Sequence, residues 1–244
     1  MIISSKENQT VKFVKKLVDK KFRESSKKFI VEGLRSVRDI LSHSPELISL
    51  ILVREDKAGL FENEVVVAER IFGTISETEA SQGVLAVVDI PQSKQISCDS
   101  VLYLDGIRDP GNLGTLIRTA CAAGYNDIIL SSCADPYSGK VVRSTMSAIV
   151  KVNIVTGSEA EIIGLKESGY TVICADMSGD DLFLSDKPVG RKICVVIGSE
   201  SNGVGTEVRR LCDMTVGIPM EGDIESLNAA VSGAIMMYNL KYKK

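Results

Sequence analysis

From residue 101 to residue 244 the chain alternates short apolar runs with helical segments, and that rhythm limits its fold more than any other feature. The runs are VLYLD (101–105), DIILSS (127–132), KVNIVT (151–156), YTVICAD (170–176), ICVVIGS (193–199) and MTVGIP (214–219). Each is nearly continuous in apolar residues, as strands buried on both faces are. Helical patterns fill the gaps at 113–123, 138–149, 159–168, 204–212 and 225–240. Strand and helix in alternation predict an α/β fold with a parallel sheet and helices on both sides. The last helix shows Leu227, Val231, Ala234, Ile235 and Tyr238 at spacings of three and four. Its entrance, Glu225-Ser226-Leu227-Asn228, is polar. Capping of free backbone N–H groups accounts for such an entrance, and so does a ligand site at a strand end.

The first half has a different pattern. Amphipathic helices fit 7–22 and 32–42, and strand-like runs follow at 47–53, 64–68 and 83–89. The polar, aperiodic stretch 90–100 reads as a linker. The expected division is therefore a small α/β unit over 1–92 and a larger parallel-sheet domain over 99–244. Charge divides along the same line. Residues 1–28 carry nine Lys and Arg against three acids, while residues 29–244 carry a net charge of −9. A basic arm on an acidic body suits a polyanionic partner, although a solvated helix face has the same composition.

Several classes are disfavoured. No apolar run approaches the roughly 18 residues of a membrane-spanning helix, and MIISSKENQTVKFVKK lacks the apolar core of a secretory signal. The six cysteines, at 98, 121, 133, 174, 194 and 212, contain no C-x-x-C pair. Reduced thiols in the cytoplasm are expected, with no metal site. The only histidine is His43, so the second half has no Cys–His pair of its own for covalent catalysis. Neither G-x-G-x-x-G nor the phosphate-binding G-x-x-x-x-G-K-[ST] follows a strand.

In open parallel sheets, ligands gather beyond the carboxyl ends of the strands. Three such ends are rich in glycine and polar groups here: LDGIRDPGNLGTLIRTA (104–120), VIGSESNGVG (196–205) and IPMEGDIESLNAAV (218–231). Taken in order, N-L-G-T-L-I-R-T-A, I-G-S-E and I-P-M-x-G-x-x-E-S-L-N resemble the three signature motifs of the SpoU, or TrmH-like, RNA ribose methyltransferases. The first half, with KKFIVEGLRSVRDIL at 27–41, is similar to the small RNA-binding domain, itself like certain ribosomal proteins, that precedes the catalytic domain in many members.

The resemblance implies a trefoil-knotted (SPOUT) α/β domain, a homodimer, and S-adenosylmethionine held by Gly198, Ile218, Met220, Ser226 and Leu227. It also implies a catalytic pocket containing Asn112, Arg118, Glu200, Ser226 and Asn228. The family assigns the base to the residue matching Arg118. A guanidinium with a pKa above about 12 is a poor base, so phosphate binding and alkoxide stabilisation suit it better, with Glu200 orienting it or taking the proton. The function implied is 2′-O-methylation of RNA, ribosomal RNA ahead of transfer RNA. An inactive RNA-binding relative and a base methyltransferase stand as alternatives. Two departures are visible. Ser201 and Asn202 precede Gly203 where the family has glycine directly after the glutamate, and Thr145-Met146-Ser147-Ala148 replaces Ser-x-Gly-Ala.

Overall fold

A computed structural model describes residues 2–184, 190–222 and 226–242. It divides into two compact units, one formed by 1–91 together with 135–150, the other by 92–134 together with 151–244. In the first unit the order is β1 (Ile2–Ile3), α1 (Gln9–Lys16), α2 (Lys20–Ser26), β2 (Lys28–Glu32), α3 (Leu34–His43), β3 (Ile48–Arg54), β4 (Glu64–Val67), α4 (Glu69–Phe72) and β5 (Val84–Asp89). The sheet runs β1-β4-β3-β5-β2, with β5 antiparallel to both β2 and β3. Val11, Val14 and Leu17 close one side of it against Leu52, Val67, Leu85 and Val87. Each such side chain contributes about 1.5–3 kcal/mol by leaving water.

The single helix expected over 7–22 is two helices. The chain leaves α1 at Leu17, and Asp19 starts α2 by accepting the N–H of Phe22 at 3.0 Å. Arg23 then turns its buried guanidinium onto the carbonyls of Leu17 and Val18, at 2.7 and 2.6 Å, which the break leaves without helical partners.

The second unit contains β6 (Ser100–Asp105), α5 (Pro110–Ala123), β7 (Asp127–Ser131), β8 (Asn153–Thr156), α7 (Glu159–Glu167), β9 (Thr171–Asp181), β10 (Ile193–Gly198), α8 (Thr206–Leu211), β11 (Met214–Gly217) and α9 (Ala229–Tyr242). All six strands are parallel, in the order β11-β9-β10-β6-β7-β8. The chain runs outward from β6 to β8, crosses back to β9, and inserts β10 between β9 and β6. The carboxyl ends of β6, β10, β9 and β11 thus open where the winding reverses, the usual ligand position in such sheets. Below them lies a core of Val101, Tyr103, Val172, Cys174, Cys194 and Val196.

The segment Asp135–Val150 follows β7 in sequence yet packs in the first unit, which the division at 92–99 did not foresee. Its helix α6 (Gly139–Thr145) lies on β2. Asp135 pairs with Arg23, the Tyr137 ring sits 5.1 Å from that of Phe29, and Arg143 meets Glu77 at 3.3 Å. After α6 the backbone is left-handed at two successive residues, Met146 (φ 50°) and Ser147 (φ 72°). Ser147 occupies the place of the expected family glycine, and its hydroxyl bonds the Asp39 carboxylate. That bond offsets a conformation that costs an L-residue about 1–2 kcal/mol.

Candidate functional site

The first glycine-rich strand end builds the start of α5. Asp109 accepts the N–H of Asn112 at 2.8 Å, Pro110 takes the first turn, and Gly124 (φ 78°) ends the helix. This places Asn112 in the first turn of α5. Arg118 is six residues on, about 9 Å along the helix and about 120° round it. Its side chain is exposed.

The second strand end folds back on itself. Ser199 and Gly203 exchange backbone hydrogen bonds of 3.0 and 2.9 Å, and the Ser199 hydroxyl accepts the N–H of Asn202 at 3.2 Å. The left-handed residue of this turn is Gly203 (φ 63°), not Asn202. The two inserted residues therefore leave the special backbone angle with a glycine. Gly198 lies so close beneath the turn that a Cβ there would come within 2.1 Å of the Gly203 backbone. Asp105, at the end of β6, accepts the N–H of Gly205 at 2.7 Å and fastens the far side of the turn.

At the third strand end, α9 begins at Ala229. The expected start at Glu225 lies outside the described residues. Asn228 is the cap: its Oδ1 accepts the N–H groups of Ala230 and Val231 at 2.9 and 3.3 Å. Its Nδ2 donates to Asn112 Oδ1 at 2.9 Å, and Asn112 Nδ2 in turn donates to Glu200. Residues from all three strand ends thus form one chain of side-chain bonds, Asn228 to Asn112 to Glu200.

A cavity of about 410 Å³ opens between the second and third strand ends. Gly198, Ile218, Met220, Ser226 and Leu227, the five residues expected to hold a cofactor, all line it, as does Glu200. Asn112, Asn228 and Arg118 do not. Sequence reasoning missed Asp176, Ser199, Ser232 and Met236, which also face it. Asp176 ends the apolar run of β9, a position that could have marked it. Arg209 donates to it at 2.7 Å and Ser178 at 2.6 Å. Burial works to raise the Asp176 carboxyl, and these bonds outweigh it, holding the group below the usual carboxylate range.

A second cavity of about 280 Å³ lies on the other side of the 199–203 turn, bounded by Asp105, Gly106, Arg108 and Gly205. Ser199 to Gly203 form a wall common to both cavities, and Glu200 is part of it. A carboxylate between two adjoining cavities can accept a proton from a group held in one while a reactant occupies the other.

Comparison with known proteins agrees with this arrangement. Residues 8–86 match the MRM3-like substrate binding domain. The chain is 32% identical to the 23S rRNA (guanosine(2553)-2′-O)-methyltransferase RlmP of Bacillus subtilis (strain 168), covering 98% of each. Its structure resembles an AdoMet-bound rRNA methyltransferase from Sinorhizobium meliloti, with a TM-score of 0.86, 28% identity, and coverage of 99% of this chain and 97% of that one. It also resembles the SpoU methyltransferase AviRb from Streptomyces viridochromogenes in complex with AdoMet, with a TM-score of 0.83, 26% identity, and coverage of 96% and 97%. Residues 99–238 match the SpoU rRNA Methylase family, and with the three motifs meeting at one site the chain belongs to that family.

Proposed function

We propose that the chain transfers a methyl group from S-adenosylmethionine to a ribose 2′-hydroxyl of RNA, ribosomal RNA ahead of transfer RNA. The observation that carries this reading is the wall shared by the two cavities, with Glu200 on it and Asn112 bonded to Glu200. The kinship with RlmP supports the ribosomal assignment, and the match of 8–86 to a substrate-binding domain supports a macromolecular substrate.

The residues present fit the cofactor. The first cavity falls in the size range of small-molecule sites, about 300–1,000 Å³. Ile197, Val216, Ile218, Leu227 and Met236 give it apolar faces suited to an adenine, and Ser199, Ser226 and Ser232 supply hydroxyls for polar groups. When bound, the cofactor supplies an electrophilic methyl on a sulfonium. The chain's own part is to align the ribose oxygen and remove its proton. Glu200 is the acceptor in this reading. Asn112 binds one of its oxygens and leaves the other for the hydroxyl. Arg118, exposed and outside both cavities, serves as a phosphate contact and not as the base.

We further infer a homodimer. On α9, Ala229, Ala230, Gly233, Met236, Met237 and Leu240 are buried within the chain, while Val231, Tyr238 and Tyr242 remain 48%, 45% and 65% exposed along one stripe. A second copy of the helix suits that stripe. Light scattering at micromolar concentration should return twice the chain mass, and the monomer mass would remove the inference.

The test of function is transfer of labelled methyl from S-adenosylmethionine to unmodified 23S, 16S and transfer RNA. A 2′-O-methyl group blocks alkaline cleavage of the adjacent phosphodiester. The label should therefore appear in alkali-resistant dinucleotides from ribosomal RNA. Label in ordinary mononucleotides would indicate base methylation and overturn the ribose assignment.

A further inference from the structure

The second cavity has its own polar character, and none of its lining outside the shared turn belongs to the residues assigned above. Asp105, half-buried, lines it with one carboxylate oxygen on the Gly205 N–H. Gly106 is left-handed (φ 71°) and carries the chain around the rim to Arg108. Arg108 is exposed and makes no hydrogen bond or ion pair among the described residues. The lining therefore holds two carboxylates, the half-buried Asp105 and the exposed Glu200, and one exposed guanidinium, Arg108, without a partner among the described residues.

That distribution selects among ligand groups. The two acids repel a phosphate from their own part of the lining. Neutral groups rich in donors, such as ribose hydroxyls and base N–H groups, match carboxylate acceptors. A phosphodiester matches the exposed guanidinium, whose planar fork can bind two oxygens at once. A nucleotide has both parts, and its ribose hydroxyls lie only a few bonds from its phosphates. At about 280 Å³ the cavity can take one extruded nucleoside but not a helix. Recognition of single splayed nucleotides is the ordinary mode for sequence-specific RNA binding.

We propose that this second cavity seats the nucleoside to be methylated and that Arg108 binds the phosphodiester attached to it. The assignment rests on the RNA methyltransferase reading above. It makes Arg108 a positioning residue: the guanidinium anchors the backbone so that the 2′-hydroxyl lies at the shared wall beside Glu200. A phosphate anchor requires positive charge but not a particular base, so the residue contributes to RNA affinity without choosing the nucleotide.

The experiment uses the full chain, unmodified 23S RNA transcribed in vitro and labelled S-adenosylmethionine. Arg108→Ala should raise KM for RNA roughly tenfold, with kcat changed less than twofold. The log–log salt slope of RNA binding should fall by roughly 0.7. Arg108→Lys should recover the salt slope but only part of the affinity, since Lys keeps the charge and loses the planar fork. Affinity for S-adenosylhomocysteine, measured by calorimetry, should be unchanged in both variants. An unaltered KM and salt slope in Arg108→Ala would overturn the proposal, and so would loss of cofactor affinity, which would place the residue's action in the shared wall. A wild-type chain that transfers no methyl to any RNA defeats the functional reading instead. The salt slope still judges the phosphate contact in that case, because binding needs no turnover.

Discussion

Asn228 and Asn112, 116 residues apart in sequence, are joined by a hydrogen bond of 2.9 Å from Nδ2 to Oδ1. Because Asn228 also caps α9 through its own Oδ1, one amide sets both the helix start and the orientation of the Asn112 amide. Asn112 then has only its NH₂ left for Glu200. The two tasks separate by substitution. Asn228→Asp keeps the capping oxygen and loses the donor, so stability should change by less than about 0.5 kcal/mol while turnover falls at least about tenfold. Asn228→Ala should lose both, with about 1 kcal/mol of stability. Thermal melts and methyl-transfer rates on the two variants check this.

The turn at 199–203 predicts opposite fates for two neighbouring glycines. A Cβ on Gly198 would lie 2.1–2.2 Å from the backbone of Gly203 and Val204, whereas one on Gly203 would meet nothing within 4 Å. Gly198→Ala must displace backbone and should abolish calorimetric binding of S-adenosylhomocysteine. Gly203→Ala faces only its left-handed φ, a cost of about 1–2 kcal/mol, and should bind within a few-fold of wild type.

Ser147 invites a third test. Ser147→Gly removes the strain of φ 72° and the bond to Asp39 together. The two effects oppose, so melting should shift by no more than about 1 kcal/mol in either direction. Ser147→Ala keeps the strain and loses the bond, and should destabilise by about 2 kcal/mol. Equal melting temperatures for the two variants would show that the left-handed φ carries no strain, and an Ala variant as stable as wild type would show that the hydroxyl does not support the turn.

Asp127 should make the second unit acid-sensitive. It is buried and accepts the N–H groups of Ser97 and Cys98 at 2.8 and 2.7 Å and Asn153 Nδ2 at 2.7 Å. Burial raises its carboxyl, and these donors more than reverse that, leaving it depressed. A depressed folded-state pKa gives stability that is present above the unfolded value, about 3.9, and is lost as pH falls through the folded value. Asp127→Asn should be less stable than wild type at pH 7. The difference should shrink progressively below about pH 4. A constant difference from pH 7 to pH 2.5 in denaturant melts would contradict this.

The basic arm divides into engaged and free lysines. Lys12 pairs with Glu7, Lys20 lies 3.8 Å from Glu24, and Lys16 sits 5.7 Å from the Phe22 ring centre. Lys21 has no ion pair or ring contact among the described residues, and Lys15 acts only through space, helping to lower the Glu7 carboxyl. Changing these two to glutamine should flatten the salt slope of RNA binding by roughly 1.4. A solvated face without RNA contacts leaves the slope unchanged.

What could be read from the sequence follows from where its information is local. The six apolar runs are strands, most plainly β6, β7 and β10, where nearly continuous burial leaves a mark on every residue, while the five residues found together in the first cavity were expected from the motif resemblance alone. The extension of β9 over Met177–Asp181 has no such mark. Its polar MSGDD becomes strand through pairing of Asp180 and Asp181 with Val216 and Gly217, a tertiary effect. β2 was hidden by the charged ends of a five-residue strand, KFIVE. Asp19 did signal a helix start, yet the spacing of Val14, Leu17 and Val18 concealed it. Arg118 was expected with Asn112 by motif alone, and in the structure it is exposed and lines neither cavity. Arg108 and Asp105 became visible only when the second turn closed a cavity against them.

The placement of Asp135–Val150 makes the protein indivisible at any one peptide bond. The chain passes between its units three times, at 91–92, 134–135 and 150–151. Cutting at the polar linker severs one passage and leaves two intact. A fragment beginning near residue 95 would carry α6 away from β2 and strip Val141, Val142 and Ile149, all buried in the whole chain, of their surroundings. Grafting the first unit onto another methyltransferase thus requires two separate pieces of sequence, one of them borrowed from the middle of the motif-bearing half.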